Sequence, residues 1–143
     1  FWEVGARNGY HMINFGWTVG ELIRRVSGKS LGTFFREEVA EKTGAKFWIG
    51  LPESEKVHIA PIRQYVPKPD DKPSEFVIAL MTDPNSIQHK SFLNTGGWDF
   101  NDRKGQAAEI GGGGGLSNAR GQVAWYTELA TNSGKLVSSD RLA

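Results

Sequence analysis

Residues 1–44 read FWEVGARNGYHMINFGWTVGELIRRVSGKSLGTFFREEVAEKTG, and this stretch decides the fold. Its apolar residues recur at steps of three and four, which predicts an amphipathic helix. A second helix is predicted after Ser27-Gly28-Lys29, with Ser30 as its N-cap. Two helices joined by so short a turn form an αα-hairpin. The two predicted apolar faces consist of Met12, Phe15, Val19, Leu22 and Val26, and of Leu31, Phe34, Phe35 and Val39.

Glycines shape both predicted helices. Gly16 and Gly20 each cost an isolated helix about 1 kcal/mol relative to alanine. We therefore predict that another segment packs closely against this side of the first helix. Lys42-Thr43-Gly44 is interpreted as an ordinary helix end, because Gly44 suits a C-cap and Lys42 suits the negative end of the helix.

The next part of the chain alternates between short ordered segments and loops. Residues 45–51 favour a short buried strand or an extended segment. The proline-rich residues 52–73 predict a surface loop. Residues 74–81 fit a short helix capped by Ser74 almost as well as a strand. Residues 82–107 are polar and predict a long irregular loop.

A third helix is predicted near the end of the sequence. Ser117 is expected to cap it, and Asn132-Ser133-Gly134 to end it. Its predicted apolar face consists of Val123, Tyr126, Leu129 and Ala130.

Tyr10 is the best functional candidate, because it stands where a loop enters the first helix. A phenol at such a position can accept or relay a proton. The alternative is that its ring packs and its hydroxyl is merely hydrogen-bonded. His11 beside it either contacts substrate or points away along the helix surface.

Several segments together resemble the serine β-lactamase and penicillin-binding-protein superfamily, and most closely its class C β-lactamase-like esterases. In that family a Tyr-x-Asn motif lies between an upstream Ser-x-x-Lys and a downstream Lys-Thr-Gly or His-x-Gly. Here the matching motif is Tyr10-His11-Met12, with Met12 in the place of the asparagine. The segments carrying the resemblance are Tyr10 with the helix that follows it, 27–32, 47–52, 108–110 and the glycine run with 116–121.

The resemblance implies a mainly α fragment of an α+β β-lactamase/transpeptidase-like fold. It also implies a catalytic proton-relay role for Tyr10 and a substrate cleft bordered by the glycine run. The substrate-binding residues expected on this basis are His11, Met12, Gly113, Gly114 and Ser117.

The nucleophile of that family is missing from these residues. No Ser-x-x-Lys occurs among the 143 residues, so no lysine stands ready to take the proton of an acylating serine. We expect a single partial domain, 1–143, that is truncated at both ends and inactive alone.

Composition excludes several other classes. The chain has 38% hydrophobic and 23% charged residues and a net charge of +1, so its electrostatics do not favour nucleic-acid binding. No apolar run is long enough to span a membrane. The five glycines 111–115 lack the lysine of a phosphate loop. The scattered His11, His58 and His89 predict no metal site, and no cofactor is expected. The sequence specifies no oligomeric state.

Two functions remain open. The first is part of a β-lactamase-related serine hydrolase, which acts on a small ester or amide through an acyl-enzyme. The alternative is a non-catalytic carbohydrate- or protein-binding module that presents Trp2, Trp17 and Trp98 as an aromatic surface.

Overall fold

The computed structural model describes residues 2–11, 13–94 and 96–142. Helices dominate it, and two short strands form the sheet of the described residues. In chain order the elements are α1 (Asn14–Ser27), α2 (Leu31–Phe35), a π-helical turn (Arg36–Ala40), α3 (Glu41–Thr43), β1 (Phe47–Ile49), α4 (Glu75–Thr82), α5 (Ile87–Phe92), α6 (Arg103–Ala107), β2 (Gly115–Ser117), α7 (Ala119–Ala130) and α8 (Ser139–Leu142).

The predicted αα-hairpin is confirmed. α1 ends at Gly28, whose φ of 72° is left-handed, and the Ser30 side chain caps α2 by accepting from the Thr33 amide. α2, the π-helical turn and α3 follow one another without a break and end at Gly44, with a φ of 70°. Lys42-Thr43-Gly44 therefore ends a helix, as predicted.

The extended segment after the hairpin is a strand, and its partner is one that the sequence did not reveal. β1 and β2 pair antiparallel, with Phe47 opposite Ser117 and Ile49 opposite Gly115. The Phe47 ring covers Gly115, where an added Cβ would lie 2.8 Å from the ring. A three-residue strand beginning in a glycine run carries too little periodicity to be recognised.

An aromatic cluster joins the hairpin, the sheet and α7. The ring of Phe35 lies 4.9 Å from that of Phe47 and 5.9 Å from that of Trp125, between centroids. Trp125 therefore faces the rest of the structure, whereas Val123 and Tyr126 are exposed. The predicted apolar face of this helix is therefore wrong for Val123 and Tyr126, whereas Leu129 is half-buried.

The predicted apolar stripe of α1 is also turned outward. Phe15, Leu22 and Val26 are exposed by 67%, 60% and 77%, while Gly16 is buried. An added Cβ on Gly16 would lie 2.0 Å from the Gly112 amide nitrogen, so the backbones themselves are in contact. The predicted close packing at the glycines is thus confirmed, and it is this packing that sets the rotation of α1.

Three short helices fill the region between the prolines and the glycine run. Residues 74–81 adopt the helical alternative as α4, with Ser74 as N-cap. The irregular loop predicted at 82–107 is wrong, since it contains α5, capped by Ser86, and α6, capped by Asp102. Residues 52–73 form the predicted loop, and Asn101 holds it through two hydrogen bonds to the backbone of Ile62.

The chain buries little apolar surface. Its accessible area is 10999 Å², whereas a folded monomer of 15.8 kDa exposes about 7,300 Å² by size scaling. Among the described residues the buried apolar ones are Ala40, Ala45, Leu51 and Ile110. No helix in the described parts of the chain is long and apolar enough to cross a membrane.

Gly16 and Gly20 offer a matched test of the packing of α1. Gly16→Ala drives a methyl group into the backbone of Gly111 and Gly112, so we expect a loss of at least about 1–3 kcal/mol in the free energy of unfolding. Gly20→Ala meets only the flexible Leu31 side chain, at 3.4 Å, and gains up to about 1 kcal/mol of helix propensity. Urea-unfolding midpoints measure both changes, and equal stability of the two variants would contradict the packing described.

The pH dependence of α1 offers a second test. Hydrogen bonds from Arg24 and then Arg25 lower the pKa of Glu21 from 4.5 to about 2. Because the folded-state pKa is lowered, the pairing stabilises α1 fully above pH 4.5 and is lost as the pH falls toward 2. As the pH is lowered, the melting temperature measured by far-UV circular dichroism should therefore fall less steeply in Glu21→Gln than in the unaltered protein. The control is Glu53→Gln, and superimposable pH profiles for Glu21→Gln and the unaltered protein would refute the effect.

Candidate functional site

Tyr10 lies in the loop that leads into α1. Its side chain is 90% exposed, and the helix begins four residues later at Asn14. The Trp2 ring covers the neighbouring Gly9, where an added Cβ would lie 3.0 Å away, and leaves the Tyr10 ring uncovered. The phenol is therefore open to a molecule arriving from solvent.

His11 is oriented by a local hydrogen bond. Its Nδ1 lies 2.7 Å from the Gly9 carbonyl oxygen. Since that oxygen can only accept, Nδ1 carries the proton, and in the neutral ring Nε2 is left as an acceptor. Met12, the third residue of the motif, lies outside the described residues.

Tyr10 and His11 together line two neighbouring depressions. The smaller, of about 460 Å³, lies against the first turn of α1, where Phe15 and Thr18 complete its wall. The larger is a groove of about 970 Å³ whose walls come from the chain start, α1, α5 and the segment before the glycine run. Volumes of this order are typical of small-molecule sites.

The other predicted site residues lie elsewhere. Gly113, Gly114 and Ser117 line neither depression. Ser117 belongs to β2, and its hydroxyl donates to the Lys46 carbonyl oxygen at 2.8 Å. The cap of α7 is Asn118, which accepts from the Gly121 amide, so the predicted capping role of Ser117 is wrong.

Ala108 and Ile110 connect the glycine run to the groove. Both line it, and the Gly114 amide donates to the Ile110 carbonyl oxygen at 2.7 Å. Gly111 and Gly112 lie against Gly16 of α1. The glycine run thus forms the backbone support behind the groove.

Glu109 is a residue whose role sequence reasoning missed. Its carboxylate accepts from the Ser30 hydroxyl at 2.8 Å and from the Gly32 amide at 2.7 Å, at the start of α2. A carboxylate there also complements the positive end of the helix. The sequence does indicate that the first amides of α2 need acceptors, as at any helix start. It does not indicate that one acceptor is a carboxylate so distant along the chain.

No group of three or more histidine or acidic residues lies close enough to hold a metal ion within the described ranges. His89 is bound locally, with Nδ1 2.9 Å from the Leu80 carbonyl oxygen.

The family of the chain is shown by a match over its whole length. The family model described as Beta-lactamase matches residues 1–143, so the chain belongs to the Beta-lactamase family. The resemblance predicted from the sequence is confirmed.

Two solved structures are similar to the chain. EstA from Arthrobacter nitroguajacolicus Rue61a is 30% identical, with a TM-score of 0.68 over 90% of this chain and 33% of that protein. A novel penicillin-binding protein homolog from Caulobacter crescentus is 25% identical, with a TM-score of 0.65 over 99% of this chain and 36% of that protein. The chain thus spans about a third of the length of each. No curated protein matches it.

Replacing the Glu109 carboxylate tests whether its hydrogen bonds to Ser30 and Gly32 stabilise the fold behind the groove. In Glu109→Gln one of the two acceptor oxygens becomes an amide donor that faces the donors of Ser30 and Gly32. We expect the free energy of unfolding to fall by about 1–3 kcal/mol. The matched control is Glu53→Gln, on the exposed loop, which should leave the urea-unfolding midpoint unchanged. Equal midpoints for the two variants would show that the contact contributes nothing to stability.

Proposed function

We propose that this chain is part of a serine hydrolase that cleaves an ester or amide through an acyl-enzyme, with Tyr10 as its proton-relay residue. The observation that carries the proposal is the position of Tyr10, which stands in the family's tyrosine motif and lines both depressions with its phenol exposed. A hydroxyl placed there can reach a substrate without any rearrangement of the described chain.

In the proposed reaction, a serine and its lysine partner outside these residues form the acyl-enzyme. The serine oxygen bonds to the substrate carbonyl carbon while its proton passes to Tyr10 or the lysine. The bond to the alcohol or amine then breaks, and the leaving group takes that proton. Water releases the acid in a second step. Because the Ser-x-x-Lys pair is absent here, the 143 residues alone are inactive.

The exposed surface supports this role as part of a larger unit. Phe15, Leu22 and Val26 of α1 and Val123 and Tyr126 of α7 are all exposed. Apolar faces of this extent are usually covered by further polypeptide. We propose that they pack against the remainder of the hydrolase.

The remaining site assignments are part of the same proposal. His11 offers Nε2 as an acceptor for a substrate hydroxyl or amide. Met12 occupies the asparagine position of the motif, and its apolar side chain favours an ester over a β-lactam. Gly113, Gly114 and Ser117 line neither depression, so their place at the border of the cleft rests on the family resemblance alone.

A non-catalytic binding module remains the second candidate. The observation that favours it is that Trp2, Trp17 and Trp98 all line the larger groove. Such an aromatic surface would take a carbohydrate or a protein segment by stacking. In that case Tyr10 would be one more contact residue.

Chromogenic ester and β-lactam assays of the full-length gene product separate these candidates. We expect hydrolysis by the gene product, none by the 143-residue chain, and a loss of about 100-fold or more in kcat/KM for Tyr10→Phe. Tyr65→Phe is the matched control, because it removes an exposed phenolic hydroxyl from the loop 52–73, outside both depressions.

Two outcomes would count against the proposal in different ways. Full activity in Tyr10→Phe would reduce Tyr10 to a contact residue while leaving the hydrolase intact. A gene product inert toward both substrate classes would leave the binding module as the better candidate.

A further inference from the structure

The larger groove beside Tyr10 has aromatic side chains from four separate parts of the chain. Trp2 comes from the chain start, Trp17 from α1, Phe92 from α5 and Trp98 from the loop before α6. We call the depression formed by these four side chains and Tyr10 the aromatic groove. Aromatic residues gathered from distant parts of a chain are not explained by the requirements of any one element.

Two of these side chains are fixed by contacts within the protein. The Trp98 indole nitrogen donates to the Gly105 carbonyl oxygen at 3.1 Å, and its ring packs against Phe100 with centroids 3.8 Å apart. The Trp2 ring is in contact with Gly9. Rigid aromatic walls lose little conformational entropy when a ligand binds, so they favour a flat apolar group.

The charged and polar side chains of the groove determine which flat apolar groups it can bind. Among the described residues no aspartate or glutamate lines it, and its polar members are His11, Asn14, Lys90, Ser91 and Asn94. A cationic substituent would therefore meet no carboxylate inside the groove, whereas a neutral ring would only displace water from indole faces.

We infer that the aromatic groove binds an aromatic group of the substrate that carries no positive charge, with Trp17 as the residue that determines this specificity. This inference rests on the proposed function, because Tyr10 would act on the bond next to the bound ring. Trp17 is the best test residue, since its side chain is 51% exposed on the surface of α1, where a bound ring can reach it.

Two neutral methyl esters, one with a phenyl ring and one without, provide the test in the full-length gene product. We expect Trp17→Ala to raise KM for methyl phenylacetate about tenfold while the kinetics on methyl acetate stay unchanged. Trp17→Phe should restore most of the loss. A methyl arylacetate carrying an aminomethyl group on the ring should be a poorer substrate than methyl phenylacetate in the unaltered enzyme. The control is Tyr65→Ala, which truncates an exposed aromatic side chain of the loop 52–73, outside the groove.

The possible failures of the two proposals can be told apart. If Trp17→Ala affects both methyl esters equally, or affects neither, the specificity inference is wrong and the hydrolase stands. If the gene product cleaves no ester, the proposed function fails, and calorimetric titration with 2-phenylethanol tests the groove directly. About tenfold weaker binding in Trp17→Ala would then support the groove as an aromatic site. Absence of binding, or preferential binding of methyl glucoside, would overturn it.

Discussion

The carboxylate of Glu109 holds together segments that are far apart in the sequence. Its two oxygens accept from the Ser30 hydroxyl and the Gly32 amide, 79 and 77 residues away, while its Cγ lies over Gly50, where an added Cβ would be 2.6 Å from it. Closing loops of this length costs conformational entropy, which local contacts cannot recover. This one side chain therefore fixes the start of α2 and the end of β1 against the segment before the glycine run.

Around that contact, glycines allow backbones to touch directly. An added Cβ on Gly32 would lie 2.1 Å from the Ile49 carbonyl oxygen, and one on Gly16 would lie 2.0 Å from the Gly112 nitrogen. Contacts so close leave no freedom to rotate α1 and bury its apolar stripe instead. The outward position of Phe15, Leu22 and Val26 thus follows from the glycine packing, even though the burial of apolar surface alone would favour the opposite rotation.

The local part of this structure could be predicted from the sequence, and the long-range part could not. Ser30, Gly28 and Gly44 mark the hairpin because caps and left-handed glycines are local features. Part of the apolar stripes of α1 and α7 is exposed instead of buried, since periodicity locates a stripe and does not say what covers it. β2 and the role of Glu109 depend on partners about 70 or more residues away. Tyr10 was identified through its family motif, whereas the groove beside it needs side chains from four segments.

Three consecutive residues both line the groove and hold the start of α2 in place. Ala108 and Ile110 line the groove, while Glu109 between them reaches to the start of α2. The Ile110 amide donates to the Ala108 carbonyl oxygen at 3.1 Å, which closes a γ-turn with Glu109 at its centre, so one short stretch lines the groove with its two ends and anchors the hairpin with its middle residue. Gly111 and Gly112, which follow directly, contact Gly16 in the first turn of α1. The position of Tyr10 relative to the groove is therefore set by backbone contacts, which hold a site more rigidly than a flexible side chain would.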